Sequence, residues 1–308
     1  MPILSDSRTG FFMFPYTLSD PDAWRGATLF TTYNDGDTWH AVDSIFDQTL
    51  HARIDDEPNV GPFTRWDRGN SLRITPINQK SDLLQSASEL SVLNGSNSAI
   101  IGSVYEGWEI ISFKDVDQNA DGSFTLSCLI RGRRGTEKLV NTPKHLFILL
   151  YEPGMLYVPV RQDRIGETRF YRLVTNGMYL EDFMSKSFIT DGTMFKPWNP
   201  VHIKGWRETN NDLKITWVRR SRGTEESWIS SGTVPMLENK ESYEIDIMDE
   251  TTVKRTITAE GTDCGIAGVV YTSEQQSSDF GSAQSQITVN IYQMSEIVGR
   301  GFAGTATI

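Results

Sequence analysis

The chain has 308 residues, 38% of them hydrophobic and 22% charged, enough apolar side chain to bury a core and unlike the composition of a disordered chain. Forty acidic against 29 basic residues leave a net charge of −11, which argues against a general nucleic-acid binder and against a protein held on anionic lipid. The longest apolar run, Leu146 to Tyr151, falls far short of the ~20 residues that a spanning helix needs, so no membrane insertion is expected.

The opening MPILSDSR lacks the basic-then-apolar pattern of a secretion signal, and the chain is expected to fold where it is made. Residues 1–24 read as an N-terminal arm. Its FFMFPY cluster, Phe11 to Tyr16, is apolar enough to require a partner surface, within the chain or on another subunit. Residues 25–195 read as one β domain with hairpins, with strands around Thr28–Tyr33, Trp39–Val42, Leu72–Pro76, Trp108–Phe113, Phe124–Arg131 and Leu146–Tyr151. In Phe124, Leu126, Cys128 and Ile130 the apolar residues alternate with polar ones, which places the Cys128 thiol on the inward face. With Cys264 it makes two cysteines, too few for a disulfide framework, and both are expected as free thiols. The helix candidates are short: SDLLQSAS from Ser81 and YLEDFMSKS from Tyr179.

Pro197 and Pro200 in KPWNPVHI form a joint, and a boundary is placed near residue 196. Residues 196–308 then carry strict alternations at Ile215 and Trp217, at Tyr243, Ile245 and Ile247, and at Ile287, Val289 and Ile291. These suit an immunoglobulin-like sandwich without a disulfide. The Ser/Gln-rich stretch Ser273 to Gln286 reads as a long exposed loop. The fold class is mainly β: an N-terminal β domain followed by a β-sandwich.

Asp117, Asn119, Asp121 and Gly122 match positions 1, 3, 5 and 6 of a calcium loop, making the first three the metal candidates. Position 12 is Cys128 where the bidentate Glu belongs, and a hairpin turn explains the same residues. RGRRGTEKL, Arg131 to Leu139, sets three arginines between glycines after a strand, suited to an internal or intersubunit ion-pair network more than to an external anion. WVRRSRGTEESW repeats the theme, with Arg219, Arg220 and Arg222 facing Glu225 and Glu226. Four histidines, His40, His51, His145 and His202, sit in unrelated contexts without metal or triad spacing. Asp35 and Asp37 in NDGDTW are nominal glycosidase carboxylates but read first as a hairpin turn. No catalytic residue and no cofactor is expected. For stacking against sugars, Trp24, Trp66, Trp198 and Trp228 lie near turn residues and are the surface candidates.

NDGDTW, GWEIISF at Gly107, LIRGRRGTE from Leu129 and KHLFILL from Lys144, followed by KPWNPVHI, LKITWVRRSRG, ESYEIDI, SDFG at Ser278 and IYQMSEIVGRGFAGTATI, resemble a known family over about residues 25–308. It is the C-terminal half of the tail-tip or baseplate hub proteins of long-tailed phages and gene transfer agents, and more distantly the tail-tip host-specificity proteins of lambda-like phages. The resemblance implies a structural virion protein at the distal tail, made in the bacterial cytoplasm. It further implies a homotrimer about a threefold axis, a fibronectin type III-like sandwich displayed outward, and hub, distal-tail and fibre proteins as partners. The family's N-terminal hub domains have no counterpart here, so the arm Met1 to Thr17 is expected to dock on a separate hub. On this reading Phe11, Phe12 and Phe14 dock subunits, and Arg131, Arg133 and Arg134 form intersubunit ion pairs. The alternative function is a receptor-binding module gripping host surface glycan through exposed aromatics. A glycan-degrading enzyme is the third reading.

Overall fold

A computed structural model describes residues 10–15, 24–34, 38–63, 65–222, 234, 236–261 and 266–308. The chain is mainly β and divides into two units, residues 1–194 and 195–308.

The first unit opens with β1 (Gly10–Met13), β2 (Ala27–Thr32) and β3 (His40–Ile45). Six strands follow: β4 (His51–Asp56), β5 (Asp67–Pro76), β6 (Ser98–Ser103), β7 (Gly107–Gln118), β8 (Phe124–Arg133) and β9 (Leu146–Leu149), with a short helix α1 (Glu89–Leu93) before β6. They close into an antiparallel barrel in the order β4-β5-β8-β7-β6-β9, which removes every sheet edge. Side chains fill it: Leu50, Leu72, Ile74, Ile101, Ile111, Phe113, Leu126, Leu129 and Phe147 are all fully buried in one cluster. After it come β10 (Leu156–Pro159), β11 (Thr168–Thr175) and β12 (Lys186–Ile189). β1 pairs with β10, and β12-β11-β2-β3 form a four-stranded sheet, so segments from both sides of the barrel sequence meet.

Part of the barrel wall is buried on both faces. Ala99, Ile101, Ile111 and Phe147 point inward, whereas Ile100, Ile110 and Ile148 form a second cluster against Phe14 and Trp108. Strands covered twice read as continuous apolar runs without alternation, which is why β6, with its AIIG core, escapes a period-two reading.

Four local expectations are corrected. Cys128 adopts φ +52° opposite a register shift in β5, so Leu129 takes the inward position and the thiol is half-exposed. SDLLQSAS contains only a 3-10 turn, Ser81–Leu83, and YLEDFMSKS only Leu180–Asp182 before entering β12. Ser273 to Gln286 is not a loop throughout, because its first half is a helix.

In the second unit β13 (Val201–Arg207), β14 (Leu213–Val218), β15 (Ser242–Asp249), β16 (Thr252–Glu260) and β17 (Ile266–Tyr271) precede the helix α2 (Ser273–Phe280), then β18 (Thr288–Ser295), β19 (Gly299–Arg300) and β20 (Gly304–Thr307). One sheet runs β13-β14-β17; the other is five-stranded, β16-β15-β18 with both the two-residue β19 and β20 on β18, and apart from the short β19 this is the three-plus-four arrangement of a fibronectin type III sandwich. The alternating residues Ile215, Trp217, Tyr243, Ile245, Ile247, Val289 and Ile291 form its core, with Trp217 and Tyr243 edge to face at 5.1 Å. α2 starts on a capping box in which the Thr272 side chain accepts from the Gln275 amide and Gln275 returns the bond, and it stops at Gly281 in the left-handed region.

Candidate functional site

The most concentrated chemistry of the first unit lies inside the barrel. On β7 the inward positions are Glu109, Ile111 and Phe113, and on β8 the inward series Leu126 and Leu129 continues to Arg131. Glu109 and Arg131 therefore meet across neighbouring strands. The side chains of both are fully buried. Arg131 donates from Nε at 2.7 Å and from Nη2 at 2.8 Å to the two carboxylate oxygens, and Gly132 adds its backbone amide at 2.9 Å. Gly132 holds φ +59°, and a Cβ there would come within 2.8 Å of Glu137 Cα, so only glycine fits this turn.

Lys144, from the loop before β9, brings Nζ to 3.7 Å from Glu109 with its own side chain 1% exposed. It donates to the carbonyls of Leu139 and Thr142 and to the Thr142 hydroxyl. Burial pushes its ammonium below the ordinary lysine value, partly offset by Glu109. The second Arg131 nitrogen also donates to Val140 O at 2.8 Å, tying the RGRRGTEKL loop to the barrel. The anion that this loop cradles is thus the protein's own Glu109. A carboxylate enclosed by donors on both oxygens has no open approach for a substrate; what it does is hold strands together.

Three of the motif fragments of the family resemblance each supply one member of this triad: GWEIISF carries Glu109, LIRGRRGTE carries Arg131 and KHLFILL carries Lys144. Glu109 and Lys144 were missed in the sequence, although Glu109 interrupts the apolar run Trp108–Ile111, the signal that marks a buried partner for a nearby charge; Lys144, between Pro143 and His145, carries no such signal.

The other nominated residues are placed as follows. Arg133 is buried and donates to the Ser112 hydroxyl, while Arg134 is half-buried in the following turn with φ +51°. Arg131 is engaged within its own barrel, so it is not available to pair with a neighbouring subunit. Phe11 packs on Tyr171 and Phe188, at 5.7 and 4.7 Å between centroids; Phe12 is 7% exposed beside Tyr157; Phe14 lies on the outer barrel wall. These phenylalanines thus find a partner surface within their own unit, where β1 adds to β10 as a strand; residues 1–9 and 16–23 of the expected arm lie outside the described residues.

The β7–β8 connection is a hairpin turn. Asn119 donates from its backbone amide to Ser123 O and from its side-chain amide to the Ser123 hydroxyl, Asp121 accepts from Ser123 and pairs with Arg73, and Asp117 is exposed on β7. Among the described residues no group of three or more His, Cys, Asp or Glu side chains is arranged to hold a metal. Asp35 and Asp37, Glu225 and Glu226, Trp228 and Cys264 lie outside the described residues.

In the sandwich, Arg219 pairs with buried Glu241, which also accepts from the Tyr243 hydroxyl at 2.6 Å, and burial pushes that phenol upward. Arg222 pairs with Glu238 at 2.8 Å, and Arg220 lies over the Trp198 ring and bonds Asn199. Trp198 is only 8% exposed and is no surface platform; Trp24 and Trp66 are half-buried. Of the histidines, His51 is buried and His40, His145 and His202 are exposed on separate elements. Among the described residues no helix is long and apolar enough to cross a membrane.

A family model described as "Rcc01698-like, C-terminal" matches residues 51–145, the stretch from the first residue of β4 to the residue before β9. No curated protein sequence matches the chain. Among solved structures, chicken interferon gamma receptor alpha chain is 8% identical over 83% of this chain and 97% of its own, with a TM-score of 0.28. The Group B Streptococcus pullulanase SAP is 7% identical over 83% of this chain and 23% of its own, at 0.19. Pullulanase type I from Bacillus subtilis is 6% identical over 82% and 24%, at 0.18. At these scores no activity or partner follows from the likeness.

Proposed function

We propose that the protein is a structural component of a phage-type tail tip or baseplate, joining the tail to host-recognition parts and performing no chemistry of its own. The observation that carries this reading is the convergence of GWEIISF, LIRGRRGTE and KHLFILL, through Glu109, Arg131 and Lys144, on one buried ionic lock. The residues by which the chain resembles tail-hub proteins serve cohesion of a filled barrel, the task of a load-transmitting part. A fibronectin type III sandwich follows it, a module that works equally as spacer and as binder.

Mass spectrometry of purified particles, with antibody against residues 197–308 visualised by electron microscopy, tests the reading. Peptides in the particle and label at the distal tail support it. Absence of the chain from purified particles overturns it. Glycan recognition by the terminal sandwich is the second reading, favoured by one exposed tryptophan on its outer surface.

A further inference from the structure

The outer face of the sheet β13-β14-β17 carries Trp206, at 45% exposure the one exposed tryptophan among the described residues. The register places Lys214 opposite it and Val270, 41% exposed, opposite Lys214; the next row is Lys204, Thr216 and Gly268. The rows lie ~7 Å apart along the strands. Residues between them face inward: Leu213 and Ile215 are in the core, and Gly205 lies against Ile308.

Lys214 Nζ lies 5.4 Å from the Trp206 ring centroid, and Lys204 is exposed. Among the described residues neither has a carboxylate within 4.0 Å, so both ammonium groups remain open to an external anion. The carboxylate at the neighbouring hairpin, Asp212, accepts from the Ser273 amide and from Asn210, and Glu208 lies one row beyond Trp206. Gly268 leaves the row beside Lys204 without a side chain on β17.

We propose that this face binds an anionic polysaccharide, with a sugar ring stacked on the Trp206 indole and the sugar's carboxylate met by Lys214 and Lys204. An indole offers a flat apolar plate suited to the C–H face of a sugar; Lys214 sits over one face of the Trp206 ring, so the sugar takes the other, and the two ammonium groups without a carboxylate partner select a charged saccharide over a neutral one. A nucleic acid would require a longer cationic track than two lysines on a chain of net charge −11. The proposal rests on the second reading above and is independent of where in a particle the chain sits.

Native affinity electrophoresis of the full chain through gels containing polygalacturonate, alginate or polysialic acid tests it, with dextran and duplex DNA as comparison gels. At least one acidic polysaccharide is expected to retard the chain and dextran is not. Trp206→Ala is expected to weaken retardation about tenfold, and Lys204→Gln with Lys214→Gln to abolish it, both with unchanged thermal midpoints. Retardation by none of the three removes both the glycan reading and the site. Retardation that survives Trp206→Ala leaves a glycan binder but overturns this face as its site. Equal retardation by DNA, insensitive to Trp206→Ala, reduces the effect to polyelectrolyte attraction and overturns the proposal.

Discussion

Glu109 and Arg131 face each other from adjacent strands inside a closed barrel, with two hydrogen bonds of 2.7 and 2.8 Å between fully buried side chains. Breaking such a pair from one side strands the remaining charge in a low-dielectric interior, whereas replacing all members by apolar groups removes the desolvation cost as well. Glu109→Ala is expected to lower stability by ~3–5 kcal/mol in urea unfolding. Glu109→Leu combined with Arg131→Met and Lys144→Met is expected to recover most of that loss. A single variant that unfolds at the wild-type midpoint would show that apolar packing alone holds this end of the barrel.

His51 is 5% exposed, with Nδ1 3.3 Å from Thr49 O, and burial holds its imidazole down at about 4 from the ordinary 6.5. The unfolded chain takes up a proton below pH 6.5 that the folded chain refuses until about pH 4. This contribution is therefore intact above pH 6.5, falls as the pH drops, and is fully lost below about pH 4. By pH 5 the loss amounts to about 2 kcal/mol. Urea unfolding at pH 7 and pH 5 is expected to show a smaller difference for His51→Gln than for the wild type. Equal differences would assign the acid sensitivity to the carboxylates instead.

Cys128 sits at φ +52°, where a β-branched side chain is strained and glycine is not. Cys128→Val is expected to cost ~1–2 kcal/mol and Cys128→Gly to be neutral or slightly stabilising. The thiol is held above its ordinary value by burial and by Asp115. Slow modification of Cys128 at pH 8, followed by peptide mapping, is the matching chemical readout.

Asp279 on α2 takes Nε and Nη2 of Arg255 at 2.6 and 2.7 Å and the Tyr271 hydroxyl at 2.7 Å, pinning the helix to the sandwich. Asp279→Ala is expected to destabilise by ~1–3 kcal/mol, and Thr272→Ala, which removes the helix cap, by ~1 kcal/mol. Hydrogen exchange across Ser273–Phe280 should accelerate in both. If exchange rises only in Thr272→Ala, the helix is held by its cap and not by the Arg255 pair.

The strands most legible in the sequence were those with one buried face. KITW, SYEIDI and ITVNIYQ alternate because one side of each packs into the sandwich core, so period two in the chain is the same fact as the layer in space. β6 was illegible for the opposite reason, since Ile100 and Ile101 are buried on opposite sides of one wall. α2 was lost to its polar composition, although its Thr272–Gln275 capping box was written locally.

The charged residues divide in the same manner. That Arg131 had to find a partner followed from its place after an apolar strand in an acidic chain. Which partner it found was decided only by the register of β7 on β8, which brings in Glu109 from 22 residues away, and by barrel closure, which brings in Lys144. Local periodicity and turn chemistry are properties of a few consecutive residues, and the amino-acid sequence alone determined those. Cross-strand pairing, double-sided burial and the withdrawal of Phe12 and Arg131 from the surface depend on segments far apart in the chain, and only the tertiary structure decided them.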